Sequence, residues 1–200
     1  MNLEEYNKVK DFNYIQYCDY LQNKYGIGTC DYMDKSWNKN KAISRTSEGL
    51  FAHHKYEDHA IMLSHQEYAK NNPYKWQLAK NIVYCDYLEH LFLHILICEY
   101  PAKNRNKFEA VGIGGVVNFI VPTLNDFYSG WKSKLAWQQN CLSLIEGDKE
   151  VYLTLLKRFK KNCNKYPTYT EDCLYKSFND QYGTWPTDKN KEIFQEINYP

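Results

Sequence analysis

Asn81-Ile82-Val83-Tyr84-Cys85-Asp86-Tyr87-Leu88-Glu89-His90-Leu91-Phe92-Leu93-His94-Ile95-Leu96-Ile97 begins as one kind of structure and ends as another. Residues 81–85 form a short β-prone run. Asp86 and Glu89, three apart, have the spacing of a capping box, in which each side chain satisfies the other's backbone N–H at a helix start. The apolar stretch behind them predicts a helix that runs until Pro101, which cannot continue one. On that helix His90 and His94 lie four apart, so both imidazoles leave the same face about one turn apart. Two ring nitrogens so placed can grip one metal ion. The helix is otherwise nearly all apolar, so these polar rings need partners.

Upstream, Gly49-Leu50-Phe51-Ala52 is a second short apolar run, and it delivers the adjacent pair His53-His54. All six histidines fall between positions 53 and 94, which places the chemistry there. Neighbouring residues on a strand face opposite sides, so His53 and His54 cannot both be ordinary ligands of one ion unless the strand ends at them. The order is strand, long connection, strand, helix. Within the connection, Ser64 and Glu67 repeat the capping-box spacing and predict a short helix to about Asn71, and another helical turn is expected over 74–80. Glu57, Asp58, His59 and His65 are assigned to the surface of this connection, and Glu89 to the helix cap.

These residues resemble the HNH endonucleases, also called ββα-metal or His-Me finger enzymes. The likeness is to the all-histidine type seen in colicin-type DNases and in phage and mobile-element proteins. The family pattern is His-His at the end of a strand, an Asn nine residues before the first helix histidine, and a second helix histidine four later. Here that is His53-His54, Asn81, His90 and His94. The likeness covers residues 49–99, about a quarter of the chain. It implies an α+β, mainly helical fold with a ββα finger embedded in a helical domain. It further implies that His53, His90 and His94 hold one divalent ion (Mg2+, Mn2+, Ni2+ or Zn2+), that His54 is the general base, and that Asn81 hydrogen-bonds across the hairpin to keep the His54 loop in register. The implied activity is hydrolysis of phosphodiester bonds in DNA, with RNA open and a homodimer conceivable. Two features depart from the pattern: Lys55 and Tyr56 stand where an aliphatic residue and often a later proline are usual, and the connection over 55–80 is long.

The chemistry agrees with elementary electrostatics. Three neutral imidazoles leave the full double charge of an ion to act on a phosphate oxygen. A further imidazole with an unperturbed pKa of about 6.5 can accept a proton from water near neutral pH. Two other readings stay open. One is a nucleic-acid-binding protein that does not cut, with structural zinc on His90, His94 and two thiols such as Cys85 and Cys98. The other is a helical interaction module whose histidines are structural.

The rest of the chain sets bounds. Two hundred residues suit one well-buried core with elaborated ends. The expected division is 1–48 as a helical then basic segment, 49–101 as the core with its connection, and 102–200 as a helical extension, all in one compact unit. Helical spacing runs from Leu3 to Tyr25 with Gly26 as the stop, and helices are expected over about 132–145 and 148–161; the tail from Pro167 has little periodicity. Gly112-Ile113-Gly114-Gly115 is no dinucleotide loop, because Val117 stands where G-x-G-x-x-G needs its last glycine. Seven scattered cysteines without a C-x-x-C pair fit reduced thiols. No stretch approaches the roughly 20 apolar residues of a membrane span, and Met1-Asn2-Leu3-Glu4-Glu5 lacks the pattern of a signal peptide, so a cytoplasmic protein is expected.

A net charge of +1 is low for a protein that coats nucleic acid, but the charge is unevenly spread. Lys35, Lys39, Lys41 and Arg45 follow an acidic first segment with no acid between them. Lys41, Arg45 and Lys55 are the candidates for phosphate contact. Nineteen tyrosines and five tryptophans supply rings suited either to a mixed core or to stacking on bases.

Overall fold

The computed structural model describes residues 1–105, 107 and 109–198. Its helices are α1 (Leu3–Val9), α2 (Tyr14–Tyr25), α3 (Gln66–Ala69), α4 (Tyr87–Glu99), α5 (Ile113–Gly115), α6 (Val121–Tyr128), α7 (Ala136–Ser143), α8 (Lys149–Cys163) and α9 (Lys191–Asn198). Two strands, β1 (Phe51–His54) and β2 (Ile82–Cys85), pair antiparallel. The class is therefore α+β and mainly helical, as expected. Among the described residues no helix is long and apolar enough to cross a membrane.

The centre of the molecule is α4. Every residue from Tyr87 to Cys98 except His90 is buried, and a helix apolar on all sides must be covered on all sides. α2, α5 and α8 supply the cover, and residues from Met1 to Ile197 share one apolar core around it. Phe92 is wholly buried against the rings of Tyr6 and Tyr17, with the Arg158 guanidinium over its face. Arg158 is held there by a bidentate pair with Glu99, both contacts at 2.7 Å.

The start of α4 is fixed as its sequence requires. Glu89 N–H donates to Asp86 Oδ1 at 2.8 Å and Asp86 N–H to Glu89 Oε2 at 2.7 Å, so the capping box is formed. Glu89 is wholly buried and also accepts from Lys24 Nζ at 2.7 Å, which ties α2 to the cap. Burial, with Asp86 beside it, raises the Glu89 carboxyl to about 7.

The strands register His53 opposite Val83 and His54 opposite Ile82, and the ladder extends by one bond from Lys55 N–H to the Asn81 carbonyl at 2.9 Å. The connection between them differs from its reading. Ser64 makes no cap, His65 occupies the cap position without a side-chain bond, and α3 is only four residues long. A helix that short gains too few hydrogen bonds to hold a box together.

From Ile113 to Tyr128 the backbone runs on through α5, a π-helical turn over Val116–Ile120, and α6. Pro122 explains the wide turn: it has no N–H, and its ring would strike the carbonyl one α-turn back, so the helix opens there. α7 starts later than expected, because Ser133 Oγ receives Leu135 N–H at 3.1 Å and holds that stretch in a loop. The tail carries the amphipathic α9, which buries Ile193 and Ile197. All seven cysteines are free. Positions 106, 108, 199 and 200 of the expected C-terminal extension lie outside the described residues.

Because Phe92 fills the junction of α1, α2 and α8, Phe92→Ala should cost about 3–5 kcal/mol. For a chain of this size that lowers Tm by about 10 °C or more, measurable by circular dichroism. A loss below 1 kcal/mol would show that the junction repacks.

Candidate metal centre

β1 ends at its histidine pair and the chain turns at once, with Glu57 N–H donating to the His54 carbonyl at 3.0 Å. That turn folds Glu57 back beneath the strand. Its carboxylate, expected at the surface of the connection, is instead largely enclosed, with 18% of the side chain exposed. One oxygen, Oε2, lies 3.4 Å from His53 Nδ1 and 3.4 Å from His94 Nε2, while Oε1 lies 3.5 Å from His54 Nδ1. A strand-end residue followed by a tight turn brings i+3 and i+4 under the strand, and that proximity is the signal a reading by strand and helix alone passes over.

His53, Glu57, His90 and His94 each offer one ligand atom, and these four atoms all lie within 4.8 Å of one another. His90 Nε2 and His94 Nε2 are 3.2 Å apart. Ligands on a tetrahedral ion at the usual Zn–N distance stand about 3.3 Å apart, so the three separations at 3.2–3.4 Å suit one ion. The hydrogen bonds agree. His94 Nδ1 faces the Gly112 carbonyl at 3.1 Å, which makes it the protonated nitrogen and leaves a lone pair on Nε2. His53 Nε2 meets the Tyr14 hydroxyl at 2.9 Å, and Tyr14 donates in turn to the His54 carbonyl at 3.2 Å. His53 Nδ1 is buried with no hydrogen-bond partner among the described residues. An orphaned buried nitrogen is costly unless something binds it, and a cation is what the other three atoms also suit.

Burial keeps the imidazoles neutral, the state a ligand needs. His53 is brought down to about 3, by burial first, against the pull of Glu57. His90 is held well below the ordinary histidine value by burial and then by its histidine neighbours, and His94 is lowered by burial. Burial opposes ionisation of Glu57, but the surrounding His53, His54 and His94 favour its anion.

The backbone beneath the rings is fitted to them. A Cβ at Gly115 would lie 2.5 Å from His94 Cε1, and Gly112 takes φ of +81° under α4. Phe51 stacks on His90 with ring centroids 5.8 Å apart.

The other sequence candidates are distributed as follows. His54 lies on the opposite side of β1, wholly buried, with Nε2 3.1 Å from Gln77 Oε1 and its ring against Tyr32. Its ring approaches the cluster through Glu57, with Nδ1 3.5 Å from Oε1. Asn81 bonds across the hairpin by its carbonyl, while its side chain donates to the Lys75 carbonyl at 2.7 Å inside the connection. Arg45 is engaged by Glu48 and by the Tyr25 carbonyl, and Lys55 by Asp19 at 2.7 Å; Lys41 is exposed. Asp58 is buried beside His59, and His65 is exposed. Cys85 and Cys98 stand outside the cluster, so the described metal group is histidine and carboxylate rather than thiolate.

No protein-family model, curated protein or solved structure matches the chain.

Three outcomes test the centre. In metal-free protein the unfolded chain takes up protons below pH about 6.5 that the buried rings refuse, so Tm should fall steadily on acidification toward pH about 3, and the fall should begin at the histidine rather than the carboxylate range. Added Zn2+ should raise Tm at neutral pH. Gly115→Ala, which displaces the His94 ring, should weaken binding of the ion by about 10–100-fold in calorimetric titration; unchanged affinity would remove His94 from the ligand set.

Proposed function

We propose that the chain is a metal-dependent endonuclease of the HNH kind that hydrolyses phosphodiester bonds in DNA. The observation that carries this reading is the convergence of His53, His90 and His94 on one point, with a carboxylate beside them. β1, β2 and α4 stand in the order and pairing that a ββα-metal finger requires.

In this reading His53, His90 and His94 would hold the ion, which when bound would supply positive charge to a phosphate oxygen and to the departing oxygen. The protein's own groups handle the proton. Glu57 is ionised and touches the same point, so it is placed to take a proton from an attacking water. His54 Nδ1, 3.5 Å from the other carboxylate oxygen and without a hydrogen-bond partner among the described residues, is placed to share that proton. Gln77 Oε1 on Nε2 accepts from that nitrogen when it carries hydrogen, leaving Nδ1 as the basic atom. The base named by the resemblance thus acts through Glu57, not directly on solvent. The water oxygen bonds to phosphorus, the P–O bond on the opposite side breaks, and the leaving oxygen takes a proton from solvent. Tyr14 and the Gly112 carbonyl fix which nitrogen of His53 and of His94 faces the centre.

A second reading has a specific observation behind it. Four donors of type His, His, His and Glu can close a tetrahedral shell, and a closed shell is structural. Plasmid incubated with the protein and Mg2+, Mn2+, Ni2+ or Zn2+ separates the two. The nuclease reading expects Glu57→Gln and His54→Ala to bind the ion but lose about 10²–10⁴-fold in cleavage rate, and His90→Ala to lose both. Intact plasmid with every ion, together with a Glu57→Gln protein that loses zinc and stability, would establish the closed structural site instead.

A further inference from the structure

The exposed edge of His90 opens into a cleft of about 890 Å³ between α4, α6 and the loop leading into α7. Its walls are aromatic. Phe51 and Tyr87 line the floor beside His90, and Phe119, Trp137 and Tyr182 line the rim with 53%, 43% and 64% of their surfaces exposed. Large rings rarely stand so open together unless something covers them. The charge in the cleft is of one sign: Lys132 and Lys134 line it, and none of its described lining residues is acidic. Among the described residues Lys132 pairs with the exposed Glu146 at 3.8 Å, a contact that contributes little in water.

A surface of open rings and weakly opposed lysines, continuous with a group that could hold a cation, selects a ligand with flat faces and a polyanionic backbone. A folded duplex hides its base faces, whereas an unpaired strand presents them. The cleft also lies within the size range of pockets that enclose small ligands, which fits a few nucleotides and not a double helix. Resting on the nuclease reading above, the geometry points to this cleft as a binding site for single-stranded DNA. Trp137 and Phe119 stack on unpaired bases, Lys134 contacts a phosphate, and the strand is delivered to the edge of the centre at His90.

The test is made on full-length protein in EDTA, so that binding is read without cleavage. Fluorescence anisotropy is followed for a labelled oligothymidylate, for a duplex of the same length, and with inorganic polyphosphate as competitor. The single strand should bind at least about tenfold more tightly than the duplex and should quench tryptophan emission. Trp137→Ala should weaken single-strand binding about tenfold while Trp137→Phe retains most of it. Lys134→Ala should reduce the salt slope by about 0.7. Both positions are exposed, and an unchanged Tm verifies that the variants fold. Equal affinity for duplex, full displacement by polyphosphate, or wild-type binding by both Trp137→Ala and Phe119→Ala would overturn the assignment. The two readings fail separately: a protein that binds single strands in EDTA and never cuts keeps the cleft and loses the nuclease, and one that cuts while the cleft variants bind unchanged does the reverse.

Discussion

Neutral imidazole has to be held dry, close to its own kind, and without a proton to share, if it is to wait for a cation. That requirement governs this molecule. His53, His90 and His94 are kept together by the burial of α4, whose other residues up to Cys98 are covered by α2, α5 and α8. Without that cover the rings would hydrate and protonate near pH 6.5, and their mutual repulsion would part them. The cost of burying them is met by the apolar contacts of the same helix, among them those of Phe92 with Tyr6 and Tyr17. Site and core are therefore one construction, with His90 and Glu57 its less buried members.

Charge is handled with the same economy. Asp86 and Glu89 cap α4 and are themselves buried; Lys24 offsets Glu89 from α2, and the Met1 amino group offsets Asp86. Glu57 enters the centre from a turn, where its anion offsets the dryness that holds the histidines neutral. Its carboxylate oxygens stand within 3.5 Å of His53, His54 and His94.

Much of this was legible in the residues, and what was missed was missed for physical reasons. Period and capping located β2 and α4, because a box at 86–89 followed by a run that is apolar but for two histidines admits few alternatives. The i, i+4 pair on that helix and the adjacent pair at the end of β1 then gave three members of the metal group. Glu57 was unreadable by those means, since a side chain's direction in a tight turn depends on backbone angles that no periodicity records. The box proposed at 64–67 failed for the opposite reason: a local signal existed, but no apolar face sustained a helix behind it. α9 is short, and its amphipathic pattern, with Ile193 and Ile197 four apart on the buried face, lies in a tail read as having little periodicity. The π-turn before Pro122 arises from a proline inside a stretch that tertiary packing compels to stay helical.

Tyr14 opens α2, yet its hydroxyl bridges His53 Nε2 and the carbonyl of His54, nearly forty positions further on. Docking of the first helices and the aim of one ligand ring are in this way a single equilibrium. By thermodynamic linkage, a cation that requires His53 in that orientation must also tighten the attachment of α2, and any detachment of α2 must loosen the grip on the cation. Retention of the ion and seating of the N-terminal segment should thus rise and fall together, even though no residue of that segment belongs to the ligand set.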